Sequence, residues 1–164
     1  MVVSVRSPSP ASLTVLHQDA TLSVGAYANV HLCVYRGELT LSGLETANDH
    51  HRALMARYPR TLVLGLAQHN LPLPSSEVRQ RCAHLIDENG SHVLAAAMVL
   101  AGTGFWASAV RSVMTASFAL ARQPYPSKAF ATGVEAGEWL SRFDAGTVFG
   151  PEALAQALER LERA

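Results

Sequence analysis

The chain has 164 residues, with 13 Lys and Arg against 13 Asp and Glu, 49% apolar and 16% charged. That length suits about one domain with a core large enough to need no staple. The balanced charge, with no two basic residues adjacent, argues against nucleic acid as a partner. A charged fraction below the ordinary value of about 25% predicts deep burial or apolar surface offered to a partner.

Residues 1–12, MVVSVRSPSPAS, are rich in Ser and Pro and predict a disordered tail. They hold no long apolar stretch of the kind a secretory leader needs. Thr21 to Tyr27 alternates, with Leu22, Val24 and Ala26 on one face, and Val30, Leu32 and Val34 alternate after Asn29. The two runs predict an antiparallel hairpin. From Thr40, the residues Leu44, Ala47, His51, Leu54, Met55 and Tyr58 recur at helical spacing until Pro59.

Leu62 to Ala67 is a continuous apolar run, as in a strand buried on both faces. After the loop Gln68 to Pro74, a helix starts near Ser75, carries Val78, Cys82, Leu85 and Ile86 inward, and ends at Asn89-Gly90. His92 to Leu100 predicts the next buried strand and Phe105 to Arg122 a helix. Lys128 to Ala131 predicts a short strand, and Thr132-Gly133-Val134-Glu135 a capping box. Gly150-Pro151 opens an amphipathic helix with Leu154, Leu158 and Leu161 on its apolar stripe. Strands alternating with helices define an α/β sheet, parallel after the hairpin. The organisation expected is a tail over 1–12, one α/β domain over 13–145, and a C-terminal helix over 146–164 packed on it.

Gly102-Thr103-Gly104-Phe105-Trp106-Ala107 spells a G-x-G-x-x-A turn. A dinucleotide fingerprint belongs on the first βα unit of its fold and needs an acidic residue about 20 positions on. This turn follows several elements, and the first acid beyond the next strand is Glu135, inside a helix. The turn is therefore expected to be a close strand–helix corner, and no cofactor is expected. Between Gly104 and Ala121 the only charged residue is Arg111. A helix apolar nearly all round is covered on more than one side, by the last helix or by another protein. Phe105, Trp106 and Arg111 are thus candidate partner contacts.

No H-x-x-x-H or H-E-x-x-H spacing occurs among the seven histidines, and the adjacent His50 and His51 diverge on a helix. No metal site is expected. Cys33 and Cys82 lack C-x-x-C spacing and read as two thiols in a reducing compartment, with a cytoplasmic location. His69 follows the carboxyl end of a buried strand, where α/β sheets carry functional loops. It lacks a G-x-S-x-G elbow or a placed Asp, so it is a candidate contact rather than a catalytic base. Ser75 and Ser76, at a helix start, are read first as N-caps, with acceptance of a phosphoryl group as the functional alternative.

The element order, together with Arg36-Gly37-Glu38-Leu39-Thr40, GFWASAVRSVM and EAGEWL, resembles the STAS-like proteins. These are the sulphate-transporter and anti-sigma-antagonist domains, with CRAL-TRIO-like cousins; small stand-alone bacterial members are the nearest likeness. The resemblance covers roughly residues 20–140. It implies a mixed α/β sheet of about five strands, an N-terminal hairpin followed by parallel strands, with four to five helices. It also implies a non-catalytic regulatory domain that docks on a partner protein, with a homodimer as one form. In the anti-sigma branch a serine at a helix start, set in Asp-Ser-Ser-Gly, is phosphorylated to block docking. Here the segment reads Leu73-Pro74-Ser75-Ser76-Glu77. The alternative is a carrier of a small apolar ligand or lipid, since an apolar α/β interior can hold an acyl chain.

Overall fold

The structure is a computed structural model that describes residues 11–104, 107–108, 111, 122–143 and 149–164. Three strands come first: β1 (Leu13–Gln18), β2 (Leu22–Tyr27) and β3 (Val30–Tyr35). Helix α1 (Leu41–Arg57), β4 (Thr61–Ala67), α2 (Ser76–Asn89) and β5 (Val93–Leu100) follow. Then come β6 (Ser127–Phe130), α3 (Gly133–Leu140) and α4 (Pro151–Arg163). The helix expected over 105–122, with Phe105 and Trp106, lies largely outside the described residues.

The strands pair in simple sequence order, β1-β2-β3-β4-β5-β6. β2 runs antiparallel to both β1 and β3, and β3 to β6 run parallel. The sheet is the mixed one anticipated, with β1 as an added edge strand ahead of the hairpin. The hairpin turns at Ala28, which takes a positive φ of 53°. Asn29 then ties that turn to the α1–β4 loop: its Nδ2 donates to the Arg60 carbonyl at 3.1 Å and its carbonyl accepts from Leu62 N at 3.0 Å.

Alternation along the central strands divides the molecule into two layers. Val30, Leu32 and Val34 of β3, Leu62, Leu64 and Leu66 of β4, and Ala95, Ala97 and Val99 of β5 form one face. They pack under Ala136 and Leu140 of α3 and Leu154, Ala157, Leu158 and Leu161 of α4. The three leucines of α4 are at most 1% exposed. Each contributes about 1.5–3 kcal/mol of burial, so this helix holds down the whole inner face. On the opposite face Leu22, Val24 and Cys33 meet Ala47 of α1, while Leu44 of α1 meets Val78 and Leu85 of α2.

The helix starts follow from local side-chain chemistry. Thr40 Oγ1 accepts from Gly43 N, Ser75 Oγ from Val78 N, and Thr132 Oγ1 from Glu135 N, each relieving an unpaired first-turn amide. Pro151 starts α4 where its missing N–H costs nothing. Helix α1 stops because Tyr58, before Pro59, is driven to an extended conformation (φ −125°, ψ 113°). Helix α2 stops at Asn89-Gly90 as the sequence predicts, with Gly90 at ordinary helical values, φ −56° and ψ −32°, rather than in the left-handed region. A glycine is needed for space instead: a Cβ there would lie 2.5 Å from Pro124 Cγ.

Arg36, the first residue of the Arg-Gly-Glu-Leu-Thr segment, links the layers. Its Nη1 donates to Ser23 Oγ at 2.6 Å, and its Nη2 donates to the carbonyls of Leu161 (3.0 Å) and Glu162 (2.6 Å). Those carbonyls are at the C-terminal end of α4, where a helix leaves acceptors unpaired and carries partial negative charge. Gln68 Nε2 adds a bond to Glu162 Oε1, and Gln18 Nε2 donates to the Ala164 carbonyl.

Candidate docking site

The parallel strands β3 to β6 all end on one side of the sheet, which is where open α/β sheets gather functional groups. Three features stand there. The first is the loop from Gln68 to Ser75, leaving β4. His69 and Asn70 are exposed, and Asn70 adopts a positive φ of 61° that turns the chain outward. Pro72 and Pro74 flank Leu73, which is 85% exposed. Each proline fixes its own φ near −65° and restricts the residue before it to extended conformations. The loop therefore presents a large apolar side chain to water on a stiffened backbone.

Ser75 and Ser76 follow directly. Ser75 Oγ is engaged as the N-cap of α2, and Ser76, the first helical residue, is exposed. Arg79 Nη1 donates to the Pro74 carbonyl at 2.7 Å, which holds a guanidinium beside the start of the helix. Glu77 places an opposing charge in the same turn.

The second feature is the glycine corner after β5. Gly102 and Gly104 have φ values of 142° and 91°, a region that L side chains rarely adopt. A Cβ on Gly102 would lie 3.3 Å from Ala107 Cβ and 3.5 Å from His69 Nδ1. The close strand–helix approach anticipated from the glycines is present, and His69 lies against the same corner. Arg111 Nη1 reaches back to the carbonyls of Leu100 (3.4 Å) and Gly102 (3.3 Å). Among the described residues Arg111 makes no salt bridge. His69 and Arg111 thus meet around one turn. Phe105 and Trp106 lie outside the described residues.

A third feature had no counterpart in the sequence reading. A cleft of about 470 Å³ lies between β6 and α3, lined by Arg111, Lys128, Glu135, Glu138, Trp139 and Arg142 among others. Glu135, Glu138, Trp139 and Arg142 share one helical face by their spacing of three, four and seven, which was legible in the sequence. The cleft is open and charged, and it is a poor match for an acyl chain.

Among the described residues no group of three or more His, Cys, Asp and Glu side chains could hold a metal ion, and no helix is long and apolar enough to cross a membrane. Burial pushes the Cys33 thiol up to about 12, so it stays protonated and unreactive at neutral pH.

No protein-family model matches the chain, and no curated protein matches it. A solved structure does. It is described as an uncharacterized protein of the DUF3478 family with a SpoIIAA-like fold from Shewanella loihica PV-4. It is 14% identical, with a TM-score of 0.51 over 79% of this chain and 93% of that one. The chain accordingly has the SpoIIAA-like, or STAS-like, fold.

Proposed function

We propose that this protein is a non-catalytic docking domain that engages a partner protein through the loop 68–76 and the adjoining glycine corner. The observation that carries the reading is Leu73, 85% exposed between two prolines at the carboxyl side of the sheet. An apolar side chain already held in one backbone conformation loses little entropy when a partner covers it. His69 and Arg111 supply polar contacts at the rim of the same surface. Phe105 and Trp106 belong to this proposal by their place in the sequence, next to Gly104. Among the described candidate residues no nucleophile–base pair is present, which favours docking over catalysis. A second copy of the chain is one candidate partner.

Phosphorylation of Ser75 or Ser76 is the control we propose for this surface. It would add about 1.5–2 negative charges next to Leu73. The helix start and Arg79 favour that charge and Glu77 opposes it. The apolar-ligand reading is weaker, because the inner face is filled by leucines and the open cleft is charged.

The test is a photo-crosslinking amino acid placed at Leu73 in living cells, with one at exposed Arg57 on α1 as control. The expected result is a discrete adduct at 73 that is absent at 57 and is lost in a Ser75→Asp, Ser76→Asp background. Equal adduct patterns at both sites, or none at 73, would refute the docking surface. Light scattering over a concentration series separates a homodimer from a foreign partner.

A further inference from the structure

A cluster of histidines lies between the sheet and α1, with its buried pair toward the end of the sheet opposite the docking loop. His31 of β3 and His51 of α1 stack with ring centroids 4.5 Å apart and planes 12° off parallel, at 4% and 6% exposure. His51 Nε2 lies 2.9 Å from Thr61 Oγ1, and His31 Nε2 lies 3.3 Å from Cys33 Sγ. His31 Nδ1 is buried with no hydrogen-bond partner among the described residues. His17 of β1 faces His50 of α1 at 6.3 Å. His92, ahead of β5, lies close enough to His51 to oppose its protonation.

We propose that this stacked pair is a proton-operated clasp that holds α1 on the sheet when both rings are neutral and releases it when either takes a proton. The pair bridges the two elements directly, so a charge on either ring sits in the seam between them. Among the described residues nothing opposite in sign meets that charge. The ionisable groups that bear on the pair are Cys33 beside His31, His50 of α1 and His92; His17 of β1 faces His50, Tyr35 lies beyond Cys33, and Asp19 lies just after β1. Asp19 is engaged by His17 at 2.9 Å and by the amides of Thr21 and Leu22. In register with His31 stand Ala26 of β2 and Val63 of β4, which cannot ionise. Asp49 and Arg52, on α1, are exposed.

Burial pulls His51 down to about 4, with His92 adding to the effect, and pulls His31 well below its usual range, with His51 and His50 adding. Acid therefore favours the opened form, where an imidazole regains its ordinary value of about 6.5. From His51 alone, the opening equilibrium of α1 rises about 20-fold between pH 7 and 5 and about 120-fold by pH 4. The clasp is independent of the docking reading, since it acts through a different end of the sheet.

Cys33 is the natural probe, since it lies under α1 against Ala47 at 2% exposure. In a Cys82→Ala background, its reaction with 4,4′-dithiodipyridine is followed from pH 7 to 4 and normalised to the urea-unfolded chain at each pH. Amide exchange of the peptide 151–163 reports α4 on the far face. The expected result is a rise of at least about 20-fold in Cys33 labelling by pH 5 while α4 stays protected, and a step reduced at least tenfold when both rings are replaced, His31→Gln with His51→Gln. Unchanged labelling, a full step in the double variant, or α4 opening together with Cys33 would overturn the proposal. Should the double variant not fold, the ring resonances of His31 and His51 in the wild type decide. They must titrate together with the α1 amides, and titration without α1 movement refutes the clasp.

Discussion

Replacing Arg36 by Ala removes one side chain that joins β2, β3 and the end of α4. Three contacts are lost: the 2.6 Å bond to Ser23 Oγ and the two bonds to the carbonyls of Leu161 and Glu162. Hydrogen bonds from a charged donor contribute about 1.5–3 kcal/mol each when buried. The two carbonyls can turn to water at the helix end, so most of their share is recovered. Ser23 is fully buried and cannot do the same. Adding the lost interaction of a cation with a helix C-terminus, about 0.3–1 kcal/mol, gives a net destabilisation of about 2–3 kcal/mol. For a chain of this size that lowers Tm by about 5–10 °C. Urea unfolding by far-UV circular dichroism measures it directly. Arg36→Lys should recover less than half of the loss, because an ammonium cannot fork across both carbonyls and the serine. Arg163→Ala is the control: among the described residues it pairs with Glu159 at 3.8 Å, both well exposed, and it should change stability by less than about 0.5 kcal/mol. A midpoint for Arg36→Ala within error of that control would refute the assignment of Arg36 as the tie between the layers.

Gly90→Ala should destabilise by about 1–3 kcal/mol through collision with the Pro124 ring, although alanine is normally better than glycine at helical angles; a gain in urea midpoint would mean that Pro124 does not crowd this position. Ser75→Ala should cost about 1 kcal/mol by leaving the Val78 amide unpaired, and Ser75→Asp should restore the cap, both read from thermal melts. Lowering pH from 7 to 4 should reduce the free energy of unfolding by about 3 kcal/mol through His51. Its folded value is depressed, so its contribution is complete above about pH 6.5 and is lost as pH falls toward 4. Urea titrations across that range, with His51→Gln flattening the slope, check the sign.

The parts of the fold written in short-range periodicity were readable in advance. Leu154, Leu158 and Leu161 define the buried side of α4, and Thr40, Ser75 and Thr132 mark three helix starts, because each signal lies within a turn or two of its effect. β1 was hidden for the opposite reason. As an edge strand with a bulge between Val15 and His17, LTVLHQ is mostly exposed and lacks the alternation of a buried strand. Gly90 looked like an ordinary helix stop because Pro124 reaches it only in three dimensions. Arg36 stood in a recognised segment, but its partners on α4 are distant in sequence. His31 and His51 were invisible as a pair for the same reason: sheet pairing and the crossover through α1 bring them together, and no local spacing does. Of the candidate contacts, His69 and Arg111 converge on the Gly102 corner, a meeting that needed the parallel register of β4 and β5.

The strictly sequential strand order has a consequence for synthesis on the ribosome. Each strand can add to the growing edge as it emerges, so the sheet itself can be laid down vectorially. Its leucine-rich inner face nevertheless lacks most of its cover until α4 leaves the exit tunnel, and α4 then seals strands made more than a hundred residues earlier. A nascent chain stalled before Pro151 would carry a finished sheet with one greasy side open to solvent, a substrate for a holdase chaperone. Arg36, waiting on β3's exit for the carbonyls of Leu161 and Glu162, marks the moment at which that exposure ends.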